Sequence, residues 1–552
     1  MTIPRKILAA ILFAGSAWTV RADVFISDIA ATASVNEWQP MDYELQDGAR
    51  GRLVRTVWGT GNGKRVEIPL KVRGKYRVWL GMGGPYWDAY SCLVRLKGEP
   101  VPVRMNAAFH CKGVSAEAWQ LGELEYRVAE LDNPTLVLES LRGCNAALGW
   151  IRLERVDEIP DYAKSDLDLI ATNDSFYPFE SMDEFYAPIQ RLAFSPVRKL
   201  FFCFGNGSQT FALPSAVAYA PSAGGSFAYT SEYAQRAVRS FNRLYREHPK
   251  MARELADFAH ARGMELHASF RTGCAVDHMR SPEWSATAQP ADYVRGIRRA
   301  ENFCRLWDGT PVARYSYAVP AVQDFYLAFY REALAGGADG LNLIFTRALP
   351  AVLFEPAFRS RFREKFGEEP SGTNDVRIAE VRCDILTDFL TRVRQVAGKR
   401  PLTLTIPGDG EEDRQFGLDV ARLAKLGVVD EFLVSCDRLS PWTKIDFTKF
   451  DFGFFRRATA GTKAKFRVLH WRWWDGFEPR NLRKSLESGA DGLALWDAAS
   501  MSWQDWERIR RMTSDPSAAE KWAADHPDAK RVRLFRTLNG FDAVHHPWWS
   551  AF

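Results

Sequence analysis

From residue 165 to 515 the chain repeats one pattern. A short apolar run ends in a polar turn, an amphipathic segment long enough for a helix follows, and then another apolar run begins. Eight such runs read as strands buried on both faces: Asp168–Thr172, Lys199–Phe204, Met264–Phe270, Gly340–Phe345, Leu402–Ile406, Glu431–Cys436, Phe466–Trp471 and Leu493–Trp496. Helical patterns lie between them, such as Phe241 to Ala261 and Val376 to Ala397, the second with Asp375 as N-cap and Gly398 as its stop. Parallel neighbours need a crossover, usually a helix. The alternation therefore predicts a (β/α)8 barrel with long loops. Arg314-Tyr315-Ser316-Tyr317 would be a ninth strand and reads as a short piece in the loop after strand three.

Upstream the text differs. Residues 23–158 hold short strands with almost no helical period: Arg65 to Leu70, Lys75 to Gly81, Ser91 to Leu96, Glu123 to Val128, Thr135 to Glu139 and Gly149 to Arg155. Turn residues at close intervals between them predict an all-β sandwich. Glu158 to Ser165 reads as a linker, and residues 516–552 as a helical piece and an aromatic tail packed on the barrel. Residues 1–22 carry a basic start (Arg5, Lys6), an apolar stretch too short to span a bilayer and a small-residue cleavage site ending at Ala22, which predicts a signal peptide and a secreted or periplasmic protein.

Removing Arg5, Lys6 and Arg21 with that signal leaves 70 basic against 68 acidic residues, a balance of +2. Such a balance argues against nucleic acid or an anionic membrane surface as partner, and no later stretch is long and apolar enough to cross a membrane. Eight cysteines are scattered without a C-x-x-C pair, which argues against a zinc site or a disulfide framework. His267 and His278 stand alone, and no His-Glu-x-x-His, P-loop or Rossmann glycine pattern occurs. Neither a metal nor another cofactor is expected.

Several phrases belong together: Glu-Leu-His-Ala-Ser-Phe-Arg (Glu265 to Arg271), Tyr-Ala-Val-Pro-Ala-Val-Gln (Tyr317 to Gln323), Ala-Asp-Gly-Leu-Asn-Leu-Ile-Phe-Thr-Arg (Ala338 to Arg347), Phe-Gly-Leu-Asp-Val (Phe416 to Val420) and Gly-Ala-Asp-Gly-Leu-Ala-Leu-Trp-Asp (Gly489 to Asp497). In this order they resemble the glycosyl-hydrolase-like, "family 10-like" TIM-barrel proteins of exported bacterial systems. The likeness runs from about Asp166 to Ala499 and implies a barrel that handles carbohydrate. Two departures remove carboxylates that the resemblance implies. Arg271-Thr272-Gly273-Cys274 stands where members often read Arg-Met-Asn-Asp, and Asn342 and Ile344 stand where strand four often carries Glu and Asp. In the sandwich, Gly74 to Gly81 and Gly149 to Val156 resemble carbohydrate-binding jelly-roll modules, which implies a jelly-roll-type sandwich.

Glycoside hydrolysis needs two carboxyl groups, about 5–5.5 Å apart for retention and roughly 6.5–9.5 Å for inversion. On a barrel they sit after the strand ends. Glu355, in an apolar setting after strand four, reads as a general acid or as the N-cap of the helix begun by Pro356. Asp497 beside Trp496 reads as a nucleophile or a cap, and Asp475 after strand seven as a partner. Asp174 follows strand one, and Asp409, Glu411, Glu412 and Asp413 crowd the loop after strand five. Arg271 and Arg347 end strands three and four, where each binds an acidic group of a ligand or pairs with a neighbouring acid. His470, Trp471, Trp473 and Trp474 resemble a sugar subsite, and Tyr86-Trp87 reads as an exposed aromatic platform or a loop plug.

The sequence thus predicts an exported glycoside-hydrolase-like protein acting on a polysaccharide or glycoconjugate by carboxylate acid/base catalysis. The alternative is a carbohydrate-binding protein on a degenerate, non-catalytic barrel.

Overall fold

The computed structural model describes residues 24–537 outside 33, 36–37, 46–49, 57–63, 85–90, 107–119, 142–145, 162–167, 175–178, 219–231, 273–296, 298, 347–348, 437–446, 448–449, 472–478, 501–505, 507–508 and 510–531. The signal-like segment 1–22 lies outside these residues. No helix among them is long and apolar enough to cross a membrane.

Eight parallel strands close into a barrel. In chain order they are Leu169–Asn173, Lys199–Asn206, Glu265–Arg271, Gly340–Ile344, Leu402–Pro407, Glu431–Ser435, Lys465–Trp471 and Gly492–Trp496. Closure runs through strand one, which pairs in parallel with strand eight (Leu169↔Leu493) and with strand two (Ile170↔Lys199). Each expected strand is present, because strands covered on both sides must be apolar throughout and such runs are visible in a sequence. The short piece expected at Arg314 to Tyr317 lies earlier, at Pro311–Tyr315, paired antiparallel with Phe303–Arg305 in the loop after strand three.

Helix ends follow local chemistry. Helix Arg377–Ala397 begins after Asp375, whose carboxylate accepts the Arg377 N–H at 3.0 Å, and stops at Gly398 with φ of 61°. The expected continuous helix from Phe241 to Ala261 is instead two, Glu232–Glu247 and Met251–His260. Pro249 lies in the break: it has no N–H and its ring clashes with the preceding turn, although the amphipathic period runs on across it.

The barrel interior is polar in layers. At the N-terminal end, buried Arg467 pairs with Glu431 and with Asp168 (2.5 Å), and His267 lies 2.9 Å from Glu265. One layer up, Asn342 donates to Ser269 Oγ (2.8 Å) and accepts from Thr405 Oγ1 (3.0 Å), a ladder across strands three, four and five. The amide in strand four therefore supports the barrel wall.

The N-terminal region is a sandwich of a seven-stranded and a five-stranded antiparallel sheet. Its core lies between them, with Val66, Val94, Val103 and Leu138 on one side and Val78, Leu80, Tyr126 and Ile151 on the other. All six expected strands are present, joined by Val24–Ile26, Ser34–Val35, Gln39–Leu45, Arg50–Arg55 and Val103–Asn106. One further strand comes from the other end of the chain. Val532–Thr537, expected within a tail packed on the barrel, pairs with Gln39–Leu45 and with Gln120–Asp132. It completes a closed ring of six strands with Arg50–Arg55, Arg73–Gly84 and Ala147–Arg155. A second small core of Met41, Tyr43, Leu53, Leu121 and Trp150 accompanies this ring.

Helix Met182–Leu192, the first of the barrel, docks the sandwich. Buried Arg191 donates to the backbone carbonyls of Tyr126 and Glu125, the latter at 2.8 Å, and Ala187 packs with Leu93 and Leu141.

Candidate functional site at the barrel mouth

Strands one, two, three and eight bring their C-terminal ends together, and these carry the charged groups of the mouth. Strand two has a register shift between Cys203 and Gly205, which sets Asn206 opposite Arg271 of strand three. Gly205 is required there, since a Cβ would lie 2.6 Å from the Phe329 ring.

Arg271 clamps Asp174. Its Nε reaches both carboxylate oxygens, at 3.0 and 2.9 Å, and a terminal nitrogen donates to Oδ2. Asp174 is buried and Arg271 nearly so. Of the two expectations for this guanidinium, an acidic ligand or a neighbouring acid, the pairing seen is with an acid from strand one, 97 residues away in sequence.

The backbone N–H of Asp174 donates to Asp497 Oδ1 at 2.9 Å, and the Asp497 N–H donates to Thr172 Oγ1 at 3.2 Å. Asp497 therefore hangs between strands eight and one by its carboxylate and its backbone. Its φ is 50°, in the left-handed region that Asp tolerates better than most residues other than glycine. That turn stops strand eight at Trp496 and leaves the Asp497 side chain half-buried.

Cys203 lies below these groups as a buried free thiol. Burial pushes its titration far up, the carboxylates of Asp174 and Asp497 push the same way and Arg271 opposes them. A nucleophile needs the thiolate, so this cysteine is a packing group. Two more buried polar atoms at the strand ends, Asn206 Oδ1 and Thr346 Oγ1, have no hydrogen-bond partner among the described residues. Water or a hydroxyl-rich ligand would satisfy them.

Glu355 is fully buried. It occupies the N-cap position of helix Pro356–Phe366, but its carboxylate makes no cap. It accepts instead from Ser316 Oγ, the Leu353 N–H (3.1 Å) and the Arg305 N–H (3.4 Å), tying the 303–315 hairpin to the loop after strand four. Burial raises its carboxyl above the usual range and these donors oppose the rise. The raised titration expected of a general acid is present; the access to a glycosidic oxygen is not.

His470 also departs from the expected subsite. It is fully buried, 2.9 Å from Ser485 in helix Pro479–Glu487 and 4.7 Å from the Phe447 ring centroid, so it packs strand seven onto its covering helix. Trp471 stands opposite Trp496 in the register of strands seven and eight. After strand five, Asp409 caps the short helix Gly410–Gln415 through the N–H groups of Glu411 and Glu412. Asp413 is fully buried there, and neither of its oxygens has a partner among the described residues. Arg347, Asp475, Trp473, Trp474 and Trp87 lie outside the described residues. No group of acids, histidines or cysteines able to hold a metal ion occurs among the described residues.

Thr172, Cys203 and Asn206 escaped the sequence reading of the mouth. Their one signal was polar or small character near the end of an apolar strand, which ordinary barrel packing also produces.

No protein-family model matches the chain, and a search of curated proteins finds no match. Solved structures similar to it include an α-galactosidase of Thermus thermophilus in complex with p-nitrophenyl α-D-galactopyranoside, with 13% identity, 87% of this chain and 95% of that chain covered, and a TM-score of 0.35. The CBM22-1–GH10 modules of endo-1,4-β-D-xylanase 10B from Clostridium thermocellum show 10% identity, 88% and 93% coverage, and a TM-score of 0.30. The glycoside hydrolase domain of PelA from Pseudomonas aeruginosa shows 11% identity, 61% and 96% coverage, and a TM-score of 0.32. The barrel assignment rests on the strand pairing itself.

Proposed function

We propose that the chain is an exported glycoside-hydrolase-like protein that cleaves a polysaccharide or glycoconjugate, with Asp497 as the reacting carboxylate. The observation that carries this reading is the anchoring of Asp497 at the mouth, with Asp174 N–H on its carboxylate and its own N–H on Thr172. A carboxylate held in this acceptor role suits a nucleophile or a general base. Arg271 and Asp174 act as positioning residues, because their ion pair fixes the backbone N–H that orients Asp497. Asp475, which follows the neighbouring strand seven in sequence, is proposed as the second acid, and the spacing of the two would set the stereochemical outcome.

The test is release of reducing ends from a panel of soluble polysaccharides by the wild type and by Asp497→Asn. Loss of a positioned carboxylate should lower the rate by about 10²- to 10⁴-fold with the melting temperature retained. A variant within a few-fold of wild type overturns the assignment. A second reading, carbohydrate binding without cleavage, is favoured by the pairing of the other described mouth carboxylate, Asp174, with Arg271. Polymer retention without new reducing ends decides for it.

A further inference from the structure

Outside the mouth, the hairpin formed by Phe303–Arg305 and Pro311–Tyr315 carries an exposed turn of unusual composition. Its tip reads Leu306-Trp307-Asp308-Gly309-Thr310, and all five residues are exposed, Leu306 by 43% and Trp307 by 37%. Trp307 and Leu306 are two of the few large apolar side chains that stand in solvent among the described residues.

The turn is rigid. The Gly309 N–H donates to the Leu306 carbonyl at 3.0 Å, the Leu306 N–H to the Thr310 carbonyl at 2.8 Å, and the Thr310 N–H to Asp308 Oδ1 at 2.9 Å. Gly309 has φ of 90°, which a side chain would strain. Arg305 clasps the turn from within by donating to the Gly309 carbonyl at 2.9 Å.

The Trp307 ring is equally fixed. The Phe354 ring meets it at 5.0 Å and 88°, and the Arg359 guanidinium lies 4.5 Å from its centroid. Arg359 is itself held by the carbonyls of Trp307 and Phe354, both at 3.1 Å. The contacts of Trp307 with Phe354 and Arg359 are those of a ring braced by its surroundings, yet more than a third of the residue stays in water. Folding has ordered this tryptophan and left over a third of it exposed.

We propose that Trp307, with Leu306 beside it, is a rim subsite on which one sugar ring of a polysaccharide stacks, outside the strand ends that carry Asp174 and Asp497. The inference rests on the carbohydrate reading above and extends it to a polymeric ligand longer than the mouth. Placement supports it, since the hairpin follows strand three and is tied by Glu355 to the loop after strand four, on the face where the mouth opens. Size supports it as well. One indole and one leucine match the apolar face of a single pyranose, whereas a stable protein partner needs about 800 Å² on each side. Asp308, exposed on the same turn and accepting from the Thr310 N–H, adds a carboxylate that suits sugar hydroxyls.

The test is affinity electrophoresis of the full chain through gels containing soluble xylan, mixed-linkage β-glucan, galactomannan or galactan. Wild type, Trp307→Ala, Trp307→Phe and Leu306→Asn are compared, and folding is checked by melting temperature. The wild type should be retarded by at least one polymer. Trp307→Ala should weaken that retardation at least tenfold, Leu306→Asn should weaken it less, and Trp307→Phe should retain most of it. Retardation of Trp307→Ala equal to wild type overturns the subsite while leaving the carbohydrate reading intact. Absence of wild-type retardation also overturns it. The carbohydrate reading then stands or falls on release of reducing ends from the same polymers, which is measured without the gel.

Discussion

Replacing Glu355 by Ala and by Gln separates a structural carboxylate from a catalytic one. Its oxygens accept from Ser316 Oγ, Leu353 N–H and Arg305 N–H. The Arg305 distance of 3.4 Å is long for such a bond, so two strong donors carry most of the effect. Alanine leaves these donors without an acceptor, at about 1–3 kcal/mol for each buried group. The expected loss is about 2–6 kcal/mol. Glutamine can turn its carbonyl to the two backbone N–H groups and its amide to the Ser316 oxygen. It loses charge assistance but removes the cost of a buried charge, so its loss should stay within about 1–2 kcal/mol.

The pH dependence has a definite sign. Burial raises the folded-state carboxyl above its unfolded value, so the folded chain holds this proton more tightly. The associated stability is present below the unfolded pKa and is lost as pH rises toward the folded one. Wild type should therefore lose stability relative to Glu355→Gln on going from about pH 4.5 to neutrality. Urea titration of the full chain at both ends of that window measures all three quantities. A Glu355→Ala loss below about 1 kcal/mol would refute the staple, being less than one orphaned donor costs. So would a 10²- to 10⁴-fold loss of polymer hydrolysis in Glu355→Gln with unchanged stability, which is the signature of an acid/base.

Asp413 should behave oppositely to an ordinary surface acid. Burial raises its carboxyl well above the usual range, with Glu412 and Asp409 adding to the rise, so wild type loses stability as pH rises from its unfolded value. Asp413→Asn should then gain stability relative to wild type as pH rises toward 7; a variant that loses stability relative to wild type over that range in urea titration would point to a partner for the carboxylate. Asn342→Leu strands the hydroxyls of Ser269 and Thr405 inside the barrel and should cost about 2–4 kcal/mol, whereas an unchanged melting temperature would show that the ladder is dispensable. Truncation after Ala529 removes the strand Val532–Thr537, and hydrogen exchange should rise in residues 39–45 and 120–132; unchanged protection there would mean that the six-stranded ring does not depend on its last strand.

The barrel was legible in the order of residues alone. A strand covered by helices outside and by side chains inside has no solvent face, so its apolar run and bounding turns are written locally, as in Leu402–Pro407 and Glu431–Ser435. The helix stop at Gly398 was legible for a similar reason, since positive φ is a property of one residue. Asp497, Asp174 and Arg271 were visible as charged residues at strand ends. That Arg271 closes on Asp174, and that Asp174 orients Asp497, depends on strands one, three and eight meeting around a ring, with 97 and 323 residues between the partners. Local periodicity gives a residue's face and says nothing of which distant residue shares it.

Glu355 and His470 show the same limit from the other side. Apolar neighbours in sequence do mean burial, but only the packed structure decides whether a polar group borders the mouth, as half-buried Asp497 does, or is sealed against a hairpin or a covering helix. Val532–Thr537 shows it most plainly. Its sequence is that of any half-buried strand, and its place between Gln39–Leu45 and Gln120–Asp132 was fixed by two strands at the opposite end of the chain whose edges lacked a partner.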